Sequence, residues 1–470
     1  MKNKFFVLLT VSALIFSNLQ PAKAQDQTDY PVYEVQSGDT LTGIAEKFDV
    51  NLNDLINING ISDSNSVTIG MQLLIPGVQG LHGIITTTPV QLGENLKALT
   101  LRYKIDQSLL MKLNHITSPG EIYVGSNLIL PQDNPDTAPA PIAKFSSSTT
   151  LLETAARNQT TTWNLLDQNE YANQFQILPG DMIYAKSSEN STKISAVDPK
   201  LNDVSISPLP LVQGQTFEIT IDSPQPVTLS GSLNGSSLHF FPTSDNKQVA
   251  LQGIYGMAEP GLAPFSLSGK YADGTEFSFS QSVLLISGDY PEDEPLTVDP
   301  ATIDPAVTQP EFDFVTNLVA PANADKLWNG MWQSPAYYQE YNSLFGDRRN
   351  YNDGALLSFH SGLDFAGGMG LPIVAPADGV VVFAGPLTIR GNATFIDHGW
   401  GVYSAYFHQS EIEVKTGDKV TAGQEIGKVG NTGRVNEADA YEGAGAHLHW
   451  EIWVNGIQVD PLQWLNNQYP

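Results

Sequence analysis

The hydrophobic pattern of residues 31–77 predicts a small β-α-α-β unit. Alternating apolar positions at Tyr33 and Val35 predict one strand, and residues 72–75 predict a second strand before a Pro-Gly turn. Between the strands, apolar residues recur every three or four positions, as on the buried face of a helix. Two helices are therefore expected, with apolar positions at Leu41, Ile44, Ala45 and Phe48 in the first and Leu52, Leu55 and Ile56 in the second.

The pattern recurs at a period near fifty residues, which indicates internal repeats. Residues 85–132 carry a Gly-Glu-Asn-Leu turn where the first copy has Gly-Asp-Thr-Leu. Residues 143–187 keep the apolar skeleton but lack this turn, and a Pro-rich linker precedes them. The second and third copies are expected either to share the function of the first copy or to act as packed spacers.

The pattern changes to strict alternation in residues 201–287, which predicts a β-sandwich-like domain. Asp273-Gly274 is a hairpin signal within it. Acidic residues and proline dominate the next segment, residues 288–335, and predict an extended linker or strap. Helix is not expected before residue 310, and a short helical piece is expected over residues 311–318.

The most informative alternation lies in residues 445–453, GAHLHWEIW, which predict a strand within a domain spanning residues 336–466. His447 and His449 would lie on one face of that strand, with Leu448 and Trp450 on the other. Together with His360 and Asp364, these histidines suit a metal site with open coordination positions. The same donor set also suits Fe(II).

Composition limits the chemistry and the partners. The chain has 470 residues, a formal net charge of −27 and no cysteine. Such an acidic surface argues against nucleic acid and against anionic lipid as partners. Because thiolates are absent, any metal site must use His, Asp and Glu.

Residues 1–24 have the pattern of a secretory signal peptide. Lys2 and Lys4 precede a short apolar core, and Ala22-Lys23-Ala24 has the small-x-small pattern of a cleavage site. We therefore expect a secreted chain with no transmembrane segment after cleavage and a net charge of −30.

Residues 32–76 resemble a LysM domain, a module that binds N-acetylglucosamine-containing glycans such as peptidoglycan. The resemblance rests on the Gly-Asp-Thr-Leu turn and on Asn59. It implies a glycan groove formed by the turn and by the loop after Asn59. The implied glycan-binding residues are Gly38, Asp39, Thr40 and Asn59.

Residues 345–465, about a quarter of the chain, resemble the lysostaphin-type zinc peptidoglycan endopeptidases, also described as murein DD-endopeptidase-like metallopeptidases. The shared segments include FHSGLDFAGGMGLPIVAPADGVV, VKTGDKVTAGQEIGKVGNTGR and AHLHWEI. The resemblance implies that His360, Asp364 and His449 bind Zn²⁺ and that His408 and His447 are catalytic. It implies a structural role for His398, and Glu451 is an alternative base.

Three further features stay open at this stage. Tyr351 either assists an oxyanion or packs in the core. Arg349 pairs either with a substrate carboxylate or with Asp347. A loop at residues 436–443, which relatives lack, adds Glu437, Asp439 and Glu442. It either favours a cationic substrate group or is simply solvated.

Taken together, the sequence predicts a multidomain, mainly β protein. It would combine small β-α-α-β LysM repeats, a β-sandwich-like middle domain and a mainly antiparallel-β metallopeptidase domain. The expected function is that of a secreted, zinc-dependent wall hydrolase of the cell surface or periplasm, which cleaves peptidoglycan peptides. The main alternative is an inactive peptidoglycan-binding activator of other hydrolases, although all five key positions are present. A glycan receptor with an inert tail is a further alternative.

Overall fold

The computed structural model describes residues 30–470, except residues 64–66, 79–80, 82, 133–137, 187–193, 244, 246, 339 and 435–444. The predicted signal peptide and the acidic loop at 436–443 lie outside the described residues. The chain forms two compact units, residues 1–85 and 86–470, and each is described by itself. No helix among the described residues is long and apolar enough to cross a membrane.

The first unit has the predicted β-α-α-β order. Thr40 begins the first helix because its side chain accepts a hydrogen bond from Gly43 N. Tyr33 and Ile44 are fully buried in the core. The elements are β1 (Val32–Glu34), α1 (Leu41–Lys47), α2 (Leu52–Ile58) and β2 (Gln72–Leu74), with β1 and β2 antiparallel.

Two further β-α-α-β repeats follow. In both, as in the first, one asparagine ties the end of the second helix to the last strand: Asn114 bonds Ile129 N and O, and Asn169 bonds Tyr184 N and O. The second repeat contains β3 (Ile84–Pro89), α3 (Leu96–Tyr103), α4 (Gln107–Leu113) and β4 (Asn127–Pro131). The third contains β5 (Pro139–Lys144), α5 (Leu151–Arg157), α6 (Thr162–Gln168) and β6 (Met182–Lys186).

The predicted β-sandwich is present between residues 203 and 286. Its strands are β7 (Asp203–Ser207), β8 (Leu211–Val212), β9 (Thr216–Asp222), β10 (Val227–Leu233), β11 (Ser236–Ser237), β12 (Phe241–Pro242), β13 (Lys247–Gly253), β14 (Gly261–Tyr271) and β15 (Glu276–Ile286). They form sheets of order β11-β10-β14-β15-β8 and β12-β13-β9-β7. Alternate residues such as Phe217, Ile219 and Phe265 fill one shared core.

The acidic segment was wrongly predicted to lack helix before residue 310. It contains a 3₁₀ turn, Pro300–Thr302, and a 14-residue helix, α7 (Pro305–Leu318). Proline is compatible with the first helical position, and Asp304 caps the helix by accepting from Ala306 N. Apolar contacts of Val315 and Val319 with the C-terminal domain stabilise it.

The C-terminal domain is built on an eight-stranded sheet of order β16-β19-β27-β23-β22-β21-β25, with β28 beside β27. Its core is rich in tryptophan, including Trp328, Trp450 and Trp464. The elements are β16 (Tyr341–Ser343), β17 (Arg348–Tyr351), β18 (Leu356–Phe359), β19 (Leu363–Ala366), β20 (Pro372–Val374), β21 (Gly379–Leu387), β22 (Gly391–Gly399), β23 (Val402–Gln409), β24 (Glu411–Ile412), β25 (Lys419–Val420), β26 (Glu425–Lys428), β27 (His447–Val454), β28 (Ile457–Val459) and α8 (Pro461–Asn466).

Candidate metal centre

Strand pairing in the large sheet brings the predicted site residues together. Strands β19 and β27 are antiparallel, so that Asp364 lies opposite His449. On its other side β27 pairs with β23, which places Phe407 opposite His449 and His408 one residue further along. Residues that are 40 to 90 positions apart in sequence therefore meet at one end of three adjacent strands.

Alternation along β27 then decides which side chains face the site. Leu448 and Trp450 are fully buried in the hydrophobic core, while His447 and His449 lie on the opposite face. Gly362 lets the chain approach this face closely, since a Cβ atom there would lie 2.8 Å from His449 Nε2. Any other residue at 362 would displace the histidine ring.

Three donor atoms converge on one point. His360 Nε2 lies 3.0 Å from Asp364 Oδ1 and 3.1 Å from His449 Nδ1, and the latter lies 2.7 Å from Asp364 Oδ1. All three residues are buried, and they form a group of potential metal donors within the described part of the chain. Donors around tetrahedral zinc lie about 3.3 Å apart, so a small outward shift makes this group fit the ion.

Hydrogen bonds fix which nitrogen of each candidate ligand histidine is free. His360 Nδ1 lies 2.7 Å from Leu344 O, and it must donate to that carbonyl. His449 Nε2 lies 3.3 Å from the Glu451 carboxylate. The opposite nitrogens, His360 Nε2 and His449 Nδ1, therefore keep their lone pairs for a metal, as is usual for histidine ligands.

His408 and His447 form a second pair beside this group. Their ring centroids are 4.9 Å apart, and His447 Nε2 lies 3.8 Å from Asp364 Oδ1. His408 Nδ1 donates to Thr432 O at 2.7 Å, and His447 Nδ1 donates to Gly445 O at 2.7 Å. Nδ1 of each ring is thus occupied, which leaves Nε2 as the nitrogen available to act as a general base.

The backbone of His408 also marks it as unusual. Its φ is +58°, in the left-handed region that costs a β-strand residue of order 1 kcal/mol. The conformation is held by a hydrogen bond from His408 N to Arg390 O at 3.0 Å. Such strain at a buried histidine is typical of functional sites.

Electrostatics keep His408 and Asp364 in different charge states. Burial, with His447 and His449 nearby, lowers the pKa of His408 to about 3, so that it is neutral at pH 7. Burial would raise the pKa of Asp364, but His360 and His449 outweigh it and hold that pKa well below its usual value. The site therefore contains one carboxylate, Asp364, that stays ionised and is surrounded by imidazole rings.

Comparison with known proteins agrees with this geometry. The model of peptidase family M23 matches residues 358–461, which contain all five residues. The LysM domain model matches residues 33–76 and 90–131. The chain carries a peptidase M23 domain and two LysM domains.

Curated relatives include endopeptidases and an activator. Peptidoglycan DD-endopeptidase ShyC of Vibrio cholerae is 36% identical over 139 residues, 30% of each chain. ShyA of the same organism is 37% identical over 142 residues, 30% of this chain and 31% of its own. Murein hydrolase activator NlpD of Salmonella dublin is 39% identical over 115 residues, 24% and 28% of the two chains. The chain spans about a third of the length of these relatives.

Solved structures similar to the chain include a putative peptidase M23 from Pseudomonas aeruginosa, with a TM-score of 0.41 and 27% identity over 55% of this chain and 96% of that one. The catalytic domain of lysostaphin from Staphylococcus simulans has a TM-score of 0.21 and 28% identity over 30% and 93%.

The C-terminal domain contains contacts of the candidate site that the sequence did not reveal. Ser343 Oγ lies 3.0 Å from His360 Nδ1 and accepts from Arg349 Nη2 at 3.0 Å. Arg349 Nη2 also lies 3.6 Å from Asp364 Oδ2, so this arginine contacts a residue of the candidate metal centre, and among the described ion pairs it has none with Asp347. A sequence signal for these contacts was lacking, since both residues lie outside the histidine motifs.

Glu451 is bound too tightly to serve as a base. Its carboxylate accepts from Ser361 Oγ at 2.6 Å, Gln458 Nε2 at 2.8 Å and Trp453 Nε1 at 2.8 Å. Burial would raise its pKa, but its contacts, first among them His449, lower it to about 2. Glu451 instead orients the His449 ring through its contact with Nε2, the nitrogen that faces away from Asp364.

In the first LysM domain, the implied glycan residues hold the fold with their side chains. The Asp39 carboxylate accepts from Tyr33 OH at 2.6 Å and pairs with Lys47 at 3.0 Å. Asn59 bonds Leu74 N and O. Gly38 is exposed with nothing near its Cβ position, so its backbone remains accessible.

The second LysM domain differs because the β-sandwich covers its turn. Gly93 N donates to Gln281 Oε1 at 2.9 Å, and Val124 forms a bridge to Val283. Val124 is fully buried, whereas Ile69 at the equivalent position of the first LysM domain is 72% exposed. The predicted groove position of the second repeat is therefore used for packing within the chain.

Proposed function

We propose that this protein is a secreted, zinc-dependent endopeptidase that cleaves peptide bonds in peptidoglycan. The observation that carries the proposal is the division of five residues into two groups. Three buried donors converge at His360, Asp364 and His449, and two histidines, His408 and His447, whose Nδ1 atoms donate to backbone carbonyls, lie beside them. This combination suits hydrolysis of an amide with a metal and a histidine base.

In this proposal His360 Nε2, Asp364 Oδ1 and His449 Nδ1 hold zinc. When bound, zinc supplies a Lewis acid that polarises a carbonyl and lowers the pKa of water toward neutrality. His447 Nε2 takes the proton from the attacking water and returns it to the leaving amine. His408, held in place by Thr432 O, is its partner for proton movement.

The first LysM domain would hold the enzyme on the glycan. Its turn around Gly38 and Asp39 and its exposed Ile69 offer an accessible surface. A tether of this kind raises the local concentration of a polymeric substrate. We propose peptidoglycan as the partner of both domains, with the glycan bound by LysM and the peptide by the M23 domain, outside the cytoplasm.

The test combines zinc content with wall solubilisation. The proposal predicts one zinc per chain, and release of peptide material from purified walls that a chelator stops and zinc restores. One bound zinc without any release of material would contradict the peptidase.

A second candidate, an activator of other hydrolases, is favoured by the similarity to murein hydrolase activator NlpD. It predicts no release by the protein alone and faster release by an added wall amidase. The intact donor set argues against it, because an activator has no need of three converging metal donors.

A further inference from the structure

Arginine is concentrated at the candidate active site. The chain has 50 acidic residues and only six arginines, and three of the six surround the histidine cluster. Arg349 contacts Asp364, Arg390 lies over the Phe407 ring, and Arg434 follows Thr432, the acceptor of His408. A positive cluster in so acidic a protein indicates an anionic ligand. The remaining arginines are Arg102, Arg157 and Arg348.

Two of the three arginines are already paired with carboxylates. Arg390 Nη1 lies 2.9 Å from Glu311 Oε1, and the same carboxylate accepts from Ile389 N at 2.8 Å. Arg349 lies between Asp293 Oδ2 at 3.5 Å and Asp364 Oδ2 at 3.6 Å. Both guanidinium groups therefore have internal counter-charges.

Arg434 has no such partner among the residues that the structure describes. Within the part of the chain that the structure describes, its guanidinium has no carboxylate oxygen within 4.0 Å, and its hydrogen bond is to Thr302 O at 3.2 Å. The group lies 5.0 Å from the centre of the Tyr351 ring, which fixes its position by a cation–π contact. Burial lowers its pKa, and Arg349 and Arg390 add to that effect.

The segment that carries Arg434 forms a wall of the site. His447 N donates to Gly430 O at 3.2 Å, and Thr432 O holds His408, so residues 430–434 pass both proposed catalytic histidines. Tyr351, on which Arg434 packs, belongs to the β17–β18 hairpin that also carries Arg349. Among the described residues, a half-buried guanidinium without a carboxylate partner thus lies two residues from Thr432, the acceptor of His408.

We infer that Arg434 binds a carboxylate of the substrate next to the scissile bond. The inference rests on the proposed function and names its substrate class as an acidic peptide with a free carboxylate. A guanidinium offers a planar fork that fits a carboxylate through two parallel hydrogen bonds. A substrate in which that carboxylate is an amide would lose the charge and one acceptor.

The test uses one cross-linked muropeptide in two forms, with its carboxylates free and with them coupled to ammonia by a carbodiimide. Calorimetry measures binding of each form to the chelator-treated full chain. Wild type should bind the free form about 10- to 100-fold more tightly. Arg434→Gln should bind both forms alike, and Arg434→Lys should keep part of the preference. Arg157→Gln, at an exposed helix end, is the matched control and should behave as wild type.

Two results would overturn the inference: equal binding of both forms by wild type, or an unchanged preference in Arg434→Gln. Cleavage by the zinc-loaded chain separates this outcome from the proposed function. If wild type cleaves both forms with equal KM, carboxylate recognition fails and the peptidase stands. If wild type cleaves neither form but keeps the binding preference, the peptidase fails and carboxylate recognition by Arg434 stands.

Discussion

Two kinds of buried histidine occur in the same sheet. His398 on β22 uses both ring nitrogens within the fold, with Nδ1 2.7 Å from Asp378 O and Nε2 2.7 Å from Ser404 Oγ. His449 on β27 uses Nε2 for Glu451 and turns Nδ1 toward Asp364 and His360. Burial is similar for the two, so burial alone does not distinguish a structural histidine from a functional one.

The difference lies in what the second nitrogen faces. The second nitrogen of His398 meets a hydroxyl group that completes a local network with Tyr406 OH at 2.8 Å from Ser404 Oγ. In His408 and His447 the second nitrogen, Nε2, has no hydrogen bond to any described residue, and the two rings lie with their centroids 4.9 Å apart. A histidine with one fixed and one free nitrogen is poised for a metal or a proton.

The largest effect is expected from removing a metal donor. Asp364→Ala should abolish stoichiometric zinc binding, because the two remaining imidazoles lack the carboxylate that completes the set. Elemental analysis after zinc loading measures this. His398→Gln is the control and should retain one zinc per chain. Zinc retained by Asp364→Ala would contradict the distinction between a structural His398 and a metal-binding His449.

The next effect concerns proton transfer. His447→Ala should keep zinc but lower kcat about 10²- to 10⁴-fold, because a general base is lost while the donors stay. His408→Ala should also keep zinc and lose activity. The measurement is a rate of peptide release together with zinc content. Loss of zinc in either variant would place that histidine among the ligands instead.

A smaller effect is expected from the residue behind His449. Glu451→Gln should weaken zinc binding about 10- to 100-fold, because a carboxylate partner increases the basicity of a ligand histidine. Competition with a chromophoric chelator gives the affinity. An unchanged affinity for zinc would show that Glu451 is only a structural hydrogen-bond partner of His449, as Ser404 is of His398.

The smallest effect concerns pH and stability. Burial lowers the pKa of His398 to about 4 from its unfolded value of 6.5, so the unfolded chain binds the proton more readily. Stability is therefore complete above pH 6.5 and falls as pH drops toward 4. Between pH 7 and 5.5, wild type should lose about 1 kcal/mol more than His398→Gln. Urea unfolding at both pH values measures this, and equal losses would contradict it.

Several parts of this picture could be predicted from the sequence. Alternation in HLHWEIW placed His447 and His449 on one face, and the structure brings both to Asp364, with His360 beside His449. The roles of the five residues and of Gly38, Asp39, Thr40 and Asn59 remain predictions. Strand periodicity is local, which is why it can be recognised without a fold.

Other parts depend on distant contacts. The expected helical piece over residues 311–318 starts earlier, at Pro305. This start was missed because the helix is stabilised by packing of Val315 and Val319 on the sheet, which outweighs an internal proline. The covered turn of the second LysM domain depends on Gln281, almost 190 residues away in sequence. The free nitrogen of each histidine is set by carbonyls such as Leu344 O and Thr432 O, which no local pattern marks.

The most direct test of the central claim is mass spectrometry of muropeptides after digestion of purified walls. Zinc-loaded protein is compared with its His447→Ala variant. The account predicts new peptide ends that appear only with the unmodified protein and that identify the bond cleaved. Walls that bind the protein but yield no new ends, or the same ends with both proteins, would contradict an endopeptidase centred on His447.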